Sequence, residues 1–127
     1  MQLARGFIEL KRLKTKIGQR RLVPILPHRA QWLAPYVQAS GWVWLYSSSQ
    51  LSNQKGQLAQ EAGIKWKHNA LRHSFASYRL AQIQNANQVD LETGHSVKVL
   101  FTNYRELVTP DEAKRWFEIA PNRGAGD

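Results

Sequence analysis

The chain has 127 residues, with 18 Lys and Arg against 9 Asp and Glu, and its formal net charge of +9 favours a polyanionic partner such as nucleic acid. Its length and a hydrophobic share of 43% indicate one folded domain, while no apolar run approaches the roughly 18 residues of a membrane span. The lack of cysteine excludes a disulfide framework, a thiol nucleophile and a cysteine-based zinc site, and it favours a reducing cytoplasm.

The N-terminal part of the chain is predicted to form a β-hairpin. Residues 6–12 alternate between apolar and polar as a half-buried strand does, and residues 20–26 form a second extended stretch. Gly18 lies in the basic turn between them, and Pro24 disfavours a central position in a sheet. We therefore expect a hairpin over residues 6–26 with a basic tip.

The middle of the chain is predicted to hold a helix, an irregular strand and a second, short helix. Pro27 suits the start of a helix over residues 28–38, which Gly41 would end. The segment 42–56 is aromatic and then rich in serine, so we expect an irregular strand followed by a loop. The short helix is expected over residues 55–62.

From Asn69 onward the pattern of the sequence is helical. Asn69 suits the N-cap of a first helix. The apolar stripe of this helix is expected to contain Ala70, Leu71, Ser74, Phe75 and Tyr78. A second helix is expected from Asn85 to residue 93, because Gly94 is a favourable residue after a helix end. Residues 97–104 are ambiguous between a short helix and a strand.

The last helix has the clearest start signal in the chain. Thr109 is predicted to be its N-cap, Pro110 its first residue and Glu112 the partner that completes a capping box. Its apolar residues Ala113, Trp116 and Phe117 require a partner surface in this chain or in a second copy, so the helix is a candidate contact for a homo-oligomer. We predict an α+β fold that is mainly α, in a single domain over residues 1–127. It comprises the hairpin 6–26, a helical bundle over 28–119 and a loose tail over 120–127.

Arg72, His95 and Tyr104 are the residue types that metal-free cleavage of a phosphodiester requires. Arginine gives two parallel hydrogen bonds to phosphate, and histidine donates to the same oxygens or transfers a proton near neutral pH. A cationic surrounding lowers the pKa of a tyrosine hydroxyl, ordinarily about 10, and so activates it as a nucleophile. Taken singly, each residue has a simpler explanation: a solvated charge, a loop histidine and a core aromatic.

The order and spacing of these motifs resemble the tyrosine recombinase (phage integrase) family. Leu71–Ser77 reads LRHSFAS, as in the family's L-R-H-[ST]-F-A-[ST] element, Gly94–Ser96 follows as GHS, and Tyr104 lies nine residues after His95. The hairpin pattern K-T…R-R-x-V-P is also similar, so the resemblance extends over residues 6–119. It implies DNA strand breakage and rejoining through a 3′-phosphotyrosyl intermediate, with double-stranded DNA as partner and without metal, ATP or another cofactor.

The resemblance also implies a role for each matching residue. Tyr104 is expected to be the nucleophile, Arg72 the second of two phosphate-binding arginines, and His95 a further hydrogen-bond donor to phosphate. Lys14 is expected to protonate the 5′ leaving oxygen, with Lys16 as the alternative because the loop is longer than the family's compact form. Additional contacts to DNA phosphates are expected from Lys16, Arg20, Arg21, His73 and Lys98. A protein of this family would act at the nucleoid in the bacterial cytoplasm and would derive from a phage or another mobile element.

Two features depart from the family's pattern. Asn69 lies three residues before Arg72, where the family usually has His or Lys, and an amide can donate to phosphate but cannot exchange a proton. The family's first arginine belongs to a T-G-x-R-x-x-E segment upstream of the hairpin, and neither Arg5 nor Arg12 lies at that place. We therefore expect the chain to correspond to the C-terminal part of a catalytic domain, weakly active or inactive by itself.

The residues leave three functions open. The first is a recombinase fragment that takes part in DNA strand exchange. The second is a non-catalytic DNA-binding accessory module derived from an integrase. The third is a basic domain associated with RNA or the ribosome, against which the lack of an aromatic stacking motif speaks.

Overall fold

The computed structural model describes residues 3–10, 20–42, 44–94, 96–98, 102 and 108–122. After a 3₁₀ turn over Leu3–Arg5, strand β1 (Phe7–Leu10) pairs antiparallel with strand β2 (Arg21–Pro24), with Phe7 opposite Pro24 and Leu10 opposite Arg21. The two predicted strands pair as a hairpin does, and β2 is shorter than the predicted stretch 20–26. The predicted basic tip lies in residues 11–19, outside the described residues. Pro24 is tolerated because each strand of a two-stranded sheet has an open edge.

Helix α1 (Pro27–Leu33) begins at the predicted proline but is shorter than the predicted helix over 28–38. A 3₁₀ turn over Ala34–Tyr36 follows it and includes Pro35. A proline inside an α-helix lacks the N–H that the helical hydrogen bond needs and collides with the preceding turn. The α-helical geometry therefore ends before Pro35.

Helix α2 (Ser48–Glu61) occupies the segment for which a Ser-rich loop was predicted, so that prediction was wrong. Ser47 is its N-cap and forms a capping box with Gln50, in which each side chain bonds the backbone N–H of the other residue. The hydroxyl thus satisfies a free amide at the helix start rather than favouring a loop. The irregular strand was also wrong, because residue 42 and residues 44–46 have no strand geometry.

Helices α3 (Ala70–Ile83) and α4 (Ala86–Thr93) lie where two helices were predicted. Asn85 caps α4 by accepting a hydrogen bond from the Gln88 backbone N–H, and Gly94 follows the helix in the left-handed conformation with φ +69°. Asn69 does precede α3, but its side chain makes no capping bond, and its backbone is itself left-handed at φ +52°. The N-cap prediction for Asn69 was therefore correct in position and wrong in mechanism.

Helix α5 (Pro110–Glu118) begins as predicted. Thr109 and Glu112 form the capping box, and Pro110 occupies the first turn. The apolar stripe packs against α3 of the same chain, where the Trp116 ring stacks on Tyr78 at 4.8 Å between centroids and 7° between planes. The homo-oligomer predicted through this helix stays a prediction.

The core lies between the helices of the C-terminal half. Ala76, Ala86 and Val89 form its centre between α3 and α4, while His28 and the aromatic rings of α3 and α5 form a second cluster. Burial, with a smaller contribution from Arg29, lowers the pKa of His28. Leu71, predicted on the buried stripe, is 69% exposed instead. The described residues form an α+β fold that is mainly α, and none of their helices has the length and apolar character of a membrane span.

Candidate functional site

The two motifs predicted to carry the chemistry meet in space. Arg72 lies in the first turn of α3, and Thr93 is the last residue of α4. The Arg72 guanidinium donates from Nη2 to the Thr93 carbonyl oxygen at 2.7 Å. Carbonyl groups at a helix C-terminus carry partial negative charge and attract cations. The Leu71–Ser77 motif is therefore held against the turn that leads into the Gly94–Ser96 motif.

A second guanidinium reaches the same turn from the hairpin. Arg21, the first residue of β2, lies against Gly94, because α4 packs on this strand. The place that a Cβ on Gly94 would occupy overlaps Nη1 of Arg21 and lies 3.8 Å from Nη2 of Arg72. Arg21 and Arg72 thus converge from a strand and a helix on a single backbone position.

These two residues belong to a cleft of about 370 Å³ that we term the arginine cleft. It is lined by Arg21, Val23, Arg29, Leu71, Arg72, Phe75, Glu92 and Thr93. Arg29 places its guanidinium carbon 5.1 Å from the centre of the Phe75 ring, a cation–π arrangement. Burial lowers the pKa of Arg29, Glu92 opposes this and Arg79 adds to it, yet an arginine stays charged at neutral pH.

Glu92 is the acidic residue of the cleft lining, and two residues outside that lining bind its carboxylate. It is 3% exposed, and Arg79 donates to both of its oxygens, from Nε at 2.9 Å and from Nη2 at 3.0 Å. Gln88 Nε2 adds a third bond at 3.0 Å. Two donors outside the cleft lining therefore take up much of the hydrogen-bonding capacity of Glu92, and the arginines lining the cleft keep an excess of positive charge.

The sequence analysis missed Glu92, Arg79 and Arg29. A signal for Glu92 exists in the sequence, because it lies three residues after Val89, on the face of α4 that the apolar pattern buries. A buried carboxylate requires a cationic partner. That the partner is Arg79, 13 residues away on another helix, could not be derived from local spacing.

The remaining predicted residues that the structure describes do not line the cleft. Arg20 forms an ion pair with Glu9 across the hairpin, with Nε 2.8 Å from Oε1, and its side chain is 67% exposed. Asn69 and His73 are exposed at the start of α3, and Lys98 is exposed beyond Gly94–Ser96. The described part of the chain does not include Lys14, Lys16, His95 or Tyr104, so their predicted roles stay predictions.

The chain matches no protein-family model, no curated protein and no solved structure. What the arginine cleft can do therefore follows from its side chains. Guanidinium groups bind phosphate through parallel, charge-assisted hydrogen bonds and stay charged at any physiological pH. The cleft has the chemistry of a site for an anion with several oxygen atoms.

Proposed function

We propose that the chain is part of the catalytic domain of a tyrosine recombinase and that its arginine cleft binds the phosphodiester backbone of duplex DNA. The observation that supports this most directly is the hydrogen bond from Arg72 to Thr93. The bond brings Arg72 of the Leu71–Ser77 motif to the turn that precedes His95 of the Gly94–Ser96 motif. Two motifs serving one phosphate must meet in this way, whereas unrelated surface residues need not.

The proposed reaction joins a side chain of this chain to a DNA strand. The Tyr104 hydroxyl gives its proton to water and its oxygen attacks the scissile phosphorus, so that a 3′-phosphotyrosyl bond forms and the bond from phosphorus to the 5′ oxygen breaks. Lys14 or Lys16 gives that oxygen its proton, while Arg72 and His95 bind the non-bridging oxygens on which negative charge develops. Attack by the free 5′-hydroxyl of another strand reverses these steps and completes the exchange.

The charge of the chain supports the proposed partner. A net charge of +9 attracts a polyanion, and binding that neutralises DNA phosphates weakens as salt increases. We also propose that the protein acts in the cytoplasm at the nucleoid, as the resemblance to the recombinase family implies. Asn69, in place of a proton-exchanging residue, favours the second candidate, a DNA-binding accessory module without catalysis.

A nicked suicide duplex tests the proposal. Cleavage near the nick releases a short fragment, so a covalent protein–DNA adduct accumulates and can be resolved on a denaturing gel. We expect the unmodified chain to form an adduct slowly and the Tyr104→Phe variant to form none. Salt-dependent duplex binding without an adduct would favour the accessory module, and a preference for structured RNA over duplex DNA would contradict both functions.

A further inference from the structure

Arg21 has a buried donor without a partner. Its Nε is inaccessible to solvent and has no hydrogen-bond acceptor among the residues that the structure describes. A buried donor without an acceptor destabilises the folded state, and more so when the group is charged. A bound ion that accepts from the donor is one explanation for such a group.

The surroundings favour an anion between Arg21 and Arg72. Atoms of both guanidinium groups lie within 4 Å of the Cβ position of Gly94. The two positive charges are therefore near each other, and like charges repel. Arg79 and Gln88 bind the carboxylate of Glu92, so this acidic group is not placed to neutralise both arginines. An anion that accepts from both guanidinium groups would remove the repulsion and supply acceptors at the same time.

We propose that Arg21 binds phosphate together with Arg72, so that both arginines contact the same phosphodiester group. This inference rests on the proposed function and goes beyond it, because it assigns to a hairpin residue a direct contact with the phosphate bound by the helix residue. A phosphodiester has two non-bridging oxygens, and guanidinium groups from β2 and α3 can each bind one. Since the two arginines belong to different elements, the packing of α4 on β2 sets the geometry of the site.

Gly94 is part of this arrangement. Any Cβ at this position would overlap Arg21 Nη1, so a larger residue would displace the Arg21 guanidinium. The glycine therefore serves two purposes: it adopts the left-handed conformation that ends α4, and it leaves the space in which Arg21 lies.

Replacing single arginines tests the proposal. Arg21→Ala removes the proposed contact, and Arg115→Ala removes the same formal charge from an exposed residue of α5 that does not line the arginine cleft. Duplex binding is measured by fluorescence anisotropy over a series of salt concentrations. We expect Arg21→Ala to weaken binding about tenfold or more and to reduce the salt slope by about one. We expect Arg115→Ala to weaken it by less than about threefold.

A second readout addresses the buried donor itself. The ¹H–¹⁵N signal of the Arg21 Nε group is assigned by its absence in Arg21→Lys, which keeps the positive charge should the alanine variant not fold. Titration of the unmodified chain with inorganic phosphate is expected to shift this signal and to leave that of Arg115 in place. A signal that stays unchanged at saturating phosphate would overturn the proposal.

The outcomes separate this inference from the proposed function. If the unmodified chain forms the covalent adduct but Arg21→Ala and Arg115→Ala bind DNA equally well, the role of Arg21 is refuted and the recombinase proposal stands. If the unmodified chain neither binds duplex DNA nor forms the adduct, the proposed function fails, and the assignment of Arg21 to a DNA phosphate fails with it.

Discussion

Arg72 and Thr93, 21 residues apart in the sequence, are joined by a 2.7 Å hydrogen bond from the guanidinium Nη2 to the carbonyl oxygen. The bond orients an otherwise exposed side chain along the end of α4, next to Gly94. A long side chain that is held in this way loses less conformational entropy when a ligand binds. Under the proposed function, the bond would hold Arg72 in place before DNA binds.

Arg72→Lys is expected to reduce formation of the covalent adduct by roughly 100-fold, the effect typical of losing one preorganised donor to a developing oxyanion. The ammonium group keeps the charge but cannot donate to Thr93 and bind a phosphate oxygen through a second, fixed N–H. Because Arg72 is exposed, the free energy of unfolding should change by less than about 1 kcal/mol. Single-turnover adduct kinetics and urea denaturation measure the two effects. Adduct formation at the unmodified rate would contradict the proposed role of Arg72.

Arg79→Ala is expected to destabilise the fold by about 3–5 kcal/mol, since it leaves the Glu92 carboxylate buried and without its cation. The side chain of Glu92 is fully buried and that of Arg79 is 13% exposed, so solvent cannot replace the ion pair. Chemical denaturation followed by circular dichroism measures the loss.

The matched control for this ion pair is Arg20→Ala. It breaks the exposed pair with Glu9 and should cost less than about 1 kcal/mol. If the two substitutions had equal effects, the Arg79–Glu92 pair would have no special role in stability.

Gly94→Ala and Gly63→Ala form a second matched pair. Both glycines are left-handed, at φ +69° and +66°, so alanine at either position should cost about 1–2 kcal/mol of backbone strain. A Cβ on Gly63 meets nothing within 4 Å, whereas a Cβ on Gly94 displaces Arg21. We therefore expect Gly94→Ala to be the more destabilising in urea denaturation and to weaken duplex binding, while Gly63→Ala leaves binding unchanged.

Glu112 makes the stability of α5 dependent on pH. Hydrogen bonds from the Thr109 backbone N–H, and then from its hydroxyl, lower the pKa of Glu112 below its ordinary value of 4.5; desolvation opposes this lowering, and Arg115 adds to it to a lesser degree. A carboxyl whose pKa is lower in the folded state stabilises it above the unfolded-state pKa, and the stabilisation is lost as the pH falls through the folded-state pKa.

Glu112→Gln is expected to remove this part of the pH dependence. The substitution keeps the capping box, because α2 already uses Gln50 in the same position after Ser47. Thermal unfolding between pH 6 and pH 3 compares the two proteins, and the curve of the variant should be flatter below about pH 4.5. Identical curves would show that the carboxylate form of Glu112 does not stabilise α5.

The elements that were predicted correctly have local signals. Thr109 with Glu112 and Asn85 with Gly94 mark helix ends through side-chain and backbone chemistry within a few residues, and the structure confirms both pairs. Ser47 and Gln50 provide the same kind of signal, but the serine-rich composition around them was interpreted as a loop. That error was avoidable, because the S-x-x-Q spacing is itself a helix-start pattern.

Two other predictions were wrong because the local sequence pattern does not determine how a residue packs against distant elements. Leu71 has the spacing of a buried residue, yet it is largely exposed and lines the arginine cleft. Asn69 is a residue type that caps helices, but its left-handed backbone leaves its side chain without a capping bond. In both cases the surrounding elements override a preference worth about 1 kcal/mol or less.

The hairpin, most helix ends and the order of the Arg72, His95 and Tyr104 motifs can be read from the chain alone, because they depend on chemistry and spacing between near neighbours. The convergence of Arg21 and Arg72 on Gly94, and the burial of Glu92 against Arg79, cannot. They depend on how α4 packs against β2 and α3. That packing is determined by many side chains that fit together at once. Residue types indicate the chemistry available to this protein, and long-range packing selects which of them line the same cleft.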